Sequence, residues 1–355
     1  MKKTLLTLAS IFCVLSVSAQ KLNKSEIKSL QSFLSQPALE AATNAQALNI
    51  SDLNNPGSWE GVKTEGGRIV EINWAGKKLA GSLDLSGFTA LRSLNVTDNR
   101  LTSLVLDNDA SLTEVRAGRN RLSNFSIAGC GQIQVLSLYR NRLSDINLEG
   151  VPLLTKLNLS SNQIAALDVT NAANLKTLNC SNNKMESLTV AGCQSLQNLY
   201  ASFNDLSGIE LAGLTNLRNI NVNNNKIGNL YLQNLPALNT LLCSDNNMTG
   251  LSLNNCKMIS DLWAPYNDLT SVTVEDCPAL AFVNLAWNDL SYLNLSNYTY
   301  LQRLNVSNNQ LMTLIVTFDP MLAWVNLANN VNLVTFEHEG SNNIEQIVGV
   351  WDDDL

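Results

Sequence analysis

The chain has 355 residues, of which 45% are hydrophobic and only 15% charged, a globular balance. Its formal net charge of -7 argues against nucleic acid as a partner, because phosphate recognition rests on a basic surface that releases counterions. Single compact cores stop growing beyond about 250–300 residues, so this length calls for several domains or for internal repetition. At the amino terminus Lys2 and Lys3 precede an apolar run from Leu5 to Val17 and the small-residue exit Val17-Ser18-Ala19. That pattern predicts a signal peptide over residues 1–19, cut before Gln20, and so a protein that is secreted, periplasmic or held at the cell surface. Neither this run nor any later one reaches the ~20 apolar residues of a spanning helix, so no membrane span is expected.

Residues 20–68 read as an amino-terminal helical cap. Asn23 and Glu26 have the spacing of a capping box, followed by an apolar helical stripe of Ile27, Leu30, Phe33 and Leu34 that Pro37 ends. Trp59, Gly61, Val62, Ile72, Trp74, Leu79 and Gly81 then form a WxGV…L.G lead-in.

From Leu91 the sequence repeats. The unit LxxLxLxxNxLxxLxL plus five residues restarts every 21 positions, at Leu91, Leu112, Ile133, Leu154, Leu175, Leu196, Leu217, Leu238, Ile259, Leu280, Leu301 and Leu322. Its ninth position is Asn in all twelve units, from Asn99 and Asn120 to Asn309 and Asn330. Positions four and six point the same way from an extended strand, so each unit is one coil whose first strand pairs in parallel with the next. The Asn, at the bend that follows, is expected to satisfy backbone groups inside the stack. The second half of the unit alternates again, as in Leu188 and Val190, which predicts a second short strand on the opposite side. The repeat domain spans 69–340. Leu333 and Phe336 fall one residue out of register, and Ile344, Ile347, Val350 and Trp351 are expected to close the core in a carboxy-terminal cap over 341–355.

LxxLxLxxNxL is the leucine-rich-repeat signature, and it covers about three quarters of this chain. The unit resembles the nested 21-residue bacterial class known as IRREKO, internalin-like in the broad sense. That resemblance implies a repeat solenoid, mainly β with parallel strands stacked along the array and a short helical amino-terminal cap. It also implies a role in binding proteins, sometimes glycans, through the face that carries the first strand.

Six cysteines follow the signal peptide: Cys130, Cys193, Cys256 and Cys277 at position nineteen, Cys180 and Cys243 at position six. These are inward positions, so buried thiols are expected, and only Cys256 and Cys277 lie in adjacent coils where a bridge has the right reach. No metal-ligand spacing occurs, the single histidine His338 has no nucleophile grouped with it, and the carboxylates fall on outward positions. Neither enzyme activity nor a cofactor or metal is expected. The outward positions of the first strand and its turn hold Tyr139, Tyr200, Phe203, Trp263, Tyr266, Phe282, Trp287 and Trp324, with Arg116, Arg119 and Arg140. The opposite face offers only Tyr231 and Tyr292 as aromatics. Tyr, Trp and Arg are enriched at binding hot spots, so the first set forms the candidate ligand surface. The sequence points to a monomeric extracytoplasmic protein that binds a protein partner there, or alternatively a glycan.

Overall fold

The computed structural model describes residues 23–349. The expected signal peptide, and the Val350 and Trp351 of the expected closure, lie outside them. A fifteen-stranded sheet runs the length of the molecule. It starts with an antiparallel hairpin, Val62–Glu65 against Arg68–Asn73, and continues in parallel with one strand per coil to Gln346–Val348. The register follows the repeat: Asn219–Asn221 pairs with Thr240–Leu242, which pairs with Asp261–Trp263, each 21 residues on. At both ends the offset becomes 22, as in Glu71 with Ser93 and Trp324 with Gln346. The slip expected at Phe336 is real, since Phe336 pairs with Leu314.

The alternating positions explain the core. In one coil Leu217, Ile220, Val222, Ile227, Leu230 and Leu232 are all at most 4% exposed. Each fully buried aliphatic side chain contributes roughly 2 kcal/mol, and every coil supplies the same set to the same continuous core. The second strand is less regular than the sequence suggests. It forms four separate small sheets, for example Asn229–Gln233 with Gly250–Asn254 and Ser271–Glu275. The segments around Ile146 and Ile209 carry no strand, and Ile146, Leu148 and Ile209 are only half-buried there.

At the bend after the first strand, position eight takes a left-handed backbone in all twelve coils, with φ between 53° and 62°. Position nine then turns its Asn amide inward. The Asn225 Oδ1 accepts from the Leu206 N–H at 3.1 Å in the preceding coil, while its Nδ2 donates to Ala201 O and Val222 O, both at 3.0 Å. Val222 O also accepts from Asn246 of the following coil, at 3.0 Å. A buried ladder of amides thus stitches each coil to its neighbours.

The cap corrects one detail of the sequence reading. Helix α1, Lys24–Leu34, is capped by the Asn23 Oδ1, which accepts from Ser25 N and Glu26 N at 3.0 and 3.3 Å. Glu26 does not reach back to complete the box. Its carboxylate is 2% exposed and instead accepts from Arg68 Nε at 2.6 Å and Ile69 N at 3.0 Å, tying the helix to the first long strand. The Asn23 N–H donates to Gly67 O, so the box has no donor left to satisfy. The lead-in motif has plain steric reasons. Trp74 stacks on Phe33 at 6.0 Å, and a Cβ on Gly61, whose φ is +79°, would lie 2.1 Å from the Asn73 carbonyl oxygen.

Two further observations concern the inward positions six and nineteen. All six cysteines among the described residues are buried and free. Burial pushes the thiols of Cys180 and Cys243 up to about 12. In the adjacent pair, the neighbouring Cys256 thiol and burial together raise Cys277. The expectation that the carboxylates lie outward fails at Asp109 and Asp319, which occupy the same ladder and are 0% exposed. Each uses Oδ1 to accept a backbone N–H, from Phe88 at 2.7 Å and Tyr298 at 2.6 Å, and each leaves a buried Oδ2 with no partner. Desolvation lifts both to about 7.

Candidate binding surface

The first-strand side is built from two rows of outward positions on the strand, three and five, and from the bend at seven and eight. Because successive coils pair in register, side chains at one position line up along the array at the ~4.8 Å strand spacing. Four of the sequence-selected aromatics are well exposed: Phe203 at 58%, Trp263 at 42%, Tyr266 at 53% and Trp287 at 52%. Tyr139, Tyr200, Phe282 and Trp324 are half-buried. Tyr266 and Trp287, from adjacent coils, stack with centroids 5.7 Å apart and planes 16° from parallel. Trp263 stands in strand register between Leu242 and Asn284, one bend away from that pair.

The three arginines divide. Arg116 is neutralised by Glu114 at 2.5 Å, whereas Arg119 and Arg140 are exposed and have no ion pair among the described residues. The Tyr139 ring lies over Gly118, where a Cβ would come within 2.1 Å of it. These groups lie in the second and third coils, and Trp263 in the ninth, so the basic and aromatic sets are separated by roughly 30 Å at the strand spacing. They are two patches, not one site.

The structure adds what spacing alone concealed. Phe203, Tyr266, Trp287, Arg119 and Arg140 all sit at position eight, in the left-handed region. That conformation suits Asn, Asp and Gly, and the other coils mostly supply Asn or Asp there; bulky side chains are costly in it. Arg303 was also missed. It stands in register between Phe282 and Trp324, and counting 21 residues either way from it would have found it. Exposed apolar side chains are not confined to this side: Tyr231 is 70% exposed, Tyr292 53% and Phe318 55%. A shallow groove of about 390 Å³ lies far off, between α1 and Ser82 and Asp84. Among the described residues no three His, Cys, Asp or Glu side chains converge as metal ligands, and no helix is long and apolar enough to cross a membrane.

Parallel three-residue strands at a 21-residue pitch, a buried Asn ladder and a helical cap define a leucine-rich-repeat solenoid. Solved structures share that fold. An internalin, InlF, from Listeria monocytogenes matches over 91% of this chain and 95% of its own, with 18% identity and a TM-score of 0.53. A chain of the octameric complex of Latrophilin 3, Unc5D and the FLRT2 leucine-rich-repeat domain matches over 63% and 77%, with 19% identity and a TM-score of 0.50. No protein-family profile matches the sequence, and no curated protein matches it.

Proposed function

We propose that this is an extracytoplasmic binding protein that engages a protein partner through the first-strand side of the solenoid, centred on Trp263, Tyr266 and Trp287. One observation carries the reading: large exposed rings occupy a left-handed backbone position that other coils fill with Asn or Asp. Such strain costs about 1–2 kcal/mol per residue, and nothing in the core needs those rings. The FLRT2 leucine-rich-repeat domain, alike in fold, occurs in a complex with other proteins, which supports a protein as partner. Export rests on the Lys2–Ala19 pattern.

A glycan is the second occupant to test. Asn284, Asn305 and Asn326 stand in one row beside Phe282 and Trp324; they use Oδ1 on their own bends and leave Nδ2 without a partner among the described residues. Amide donors beside aromatic rings suit sugar hydroxyls and ring faces.

The test replaces Trp263, Tyr266 and Trp287 by Ala and measures capture of a partner from bacterial and host surface extracts, with a glycan array in parallel. At about 2 kcal/mol per packed ring, the triple change weakens binding by about a thousandfold or more. Tyr231→Ala with Tyr292→Ala, on the opposite side, leaves it intact. Retained binding by the folded triple variant overturns the assignment, and binding on the array alone replaces the protein by a glycan.

A further inference from the structure

The bend after the first strand forms one edge of the solenoid, where positions eight and ten flank the buried Asn and most side chains face solvent. Counting coils from Leu91, position ten holds Arg100, Arg121 and Arg142 in coils one to three, then Lys184 in coil five. It continues with Asp205 and Lys226 in coils six and seven, and Asp268 and Asp289 in coils nine and ten. Position eight adds Asp98 in coil one, Arg119 and Arg140 in coils two and three, and Asp245 in coil eight. Among the described residues, only Lys226 and Asp205 of these form an ion pair, at 2.6 Å. The Arg100 Nε is buried without a hydrogen-bond partner. The edge is therefore mainly basic at one end, where Asp98 stands among five arginines, acidic at the other and mostly uncompensated within the chain.

We propose that this edge is a self-association surface on which two copies meet antiparallel, about a two-fold axis between coils five and six. A two-fold axis perpendicular to the edge reverses the coil order, so coil n meets coil 11 − n of its mate. At position ten Arg100 then faces the partner's Asp289, Arg121 the partner's Asp268 and Lys184 the partner's Asp205. At position eight Arg140 faces the partner's Asp245, and Arg119 faces the ring of the partner's Tyr266, a cation–π geometry. Arg142 meets the partner's Asn247 and Gln163 the partner's Lys226, so no like charges oppose each other at either position. Both edges share the same 21-residue pitch, so the pairing recurs coil by coil.

The charge pattern also selects this register. A slip of one coil in one direction sets Arg142 against the partner's Lys226 and Lys184 against the partner's Lys184. A slip in the other sets Lys184 against the partner's Lys226 and Asp205 against the partner's Asp205. A slip of two coils sets Arg121 against the partner's Lys226 in one direction. In the other no like charges meet, but only Arg142 with the partner's Asp289 and Asp205 with the partner's Lys226 remain as ion pairs, and Arg100, Arg121 and Lys184 face uncharged positions. Like-charge contacts disfavour three of these alignments, and the loss of ion pairs disfavours the fourth. The association departs from the monomer expected from the sequence. It goes beyond the proposed partner surface, which it adjoins, and among its facing pairs Tyr266 and Trp287, the latter opposite the partner's Asp98, belong to both.

Exposed ion pairs are individually weak and screened by salt, so the dimer is salt-sensitive. Sedimentation equilibrium of the full mature chain at low salt and at about 0.5 M salt reads it directly. Wild type dimerises at low salt and dissociates at high salt. By symmetry Arg121→Asp installs two repulsive contacts and weakens the dimer at least about tenfold; Asp268→Arg does the same. The double variant restores association to within about threefold of wild type, because each new Asp meets a new Arg. A wild type that stays monomeric at low salt overturns the proposal. So does a dimer indifferent to either single reversal, or one the double variant fails to restore. Arg121 and Asp268 lie outside the aromatic cluster, and mass is read without any partner. Failure here leaves the partner surface standing, and failure of the aromatic variants to lose a partner leaves the dimer standing.

Discussion

Asn225→Ala removes one rung from the amide ladder in mid-array, and the hydrogen-bond pattern says what that costs. Asn225 accepts from Leu206 N at 3.1 Å and donates to Ala201 O and Val222 O at 3.0 Å. The two carbonyls keep a second donor each, Asn204 at 3.1 Å and Asn246 at 3.0 Å, so neither is orphaned. The Leu206 N–H has no substitute and becomes a buried unsatisfied donor. That single orphan costs about 1–3 kcal/mol, and the loss of shared bonds and a small cavity bring the expected value to the upper part of that range. Asn225→Asp sharpens the test. It keeps the acceptor for Leu206 but turns a carboxylate oxygen towards two carbonyl oxygens, so at neutral pH it destabilises more than Ala. Urea denaturation followed by far-ultraviolet circular dichroism reads both through the midpoint. A midpoint unchanged by Ala, or an Asp variant as stable as wild type, refutes the ladder account.

Burial raises the folded-state pKa values of Asp109 and Asp319 to about 7 from the ordinary aspartate value of 3.8. The folded chain therefore binds protons more tightly than the unfolded one between about pH 4 and 7, and stability falls as pH rises through that window. Each site contributes a slope of up to about 1.4 kcal/mol per pH unit, and Asp109→Asn with Asp319→Asn should flatten the melting-temperature profile there; an unaltered slope contradicts the assignment. For the thiols, denaturation of a chain beginning at Gln20 without reductant should expose six reactive cysteines, and a count of four would reveal a Cys256–Cys277 bridge. Phe203→Asn should raise stability by about 1 kcal/mol, since Asn tolerates the φ of 56° that Phe adopts there, and an equal or lower urea midpoint would remove the strain argument.

How much of this was legible in the sequence follows from what repetition encodes. A fixed pitch of 21 determines the parallel pairing, because any other register would turn each coil's apolar row out of the core. The same pitch places Cys180 and Asn225 inward and Trp263 outward, all by counting. Side-chain identity even marks the ends, where Phe336 falls out of phase and the strand offset changes to 22. Counting fails where a residue's partner comes from outside its own coil. Glu26 looked like half of a capping box, yet Arg68 and the Ile69 N–H, 42 and 43 residues on, offer its carboxylate a better-compensated burial. Asp109 and Asp319 looked like surface charges because aspartate usually is; position nineteen buries them, and only the stacked coils show an Oδ2 with nothing to meet. The stacking of Tyr266 on Trp287 and the left-handed bend beneath both rings likewise belong to the tertiary structure. The pattern of apolar residues is a one-dimensional code that suffices to stack coils, since burial is additive and non-directional. Which polar atom finds which partner depends on distance and angle, and these exist only once the coils are stacked.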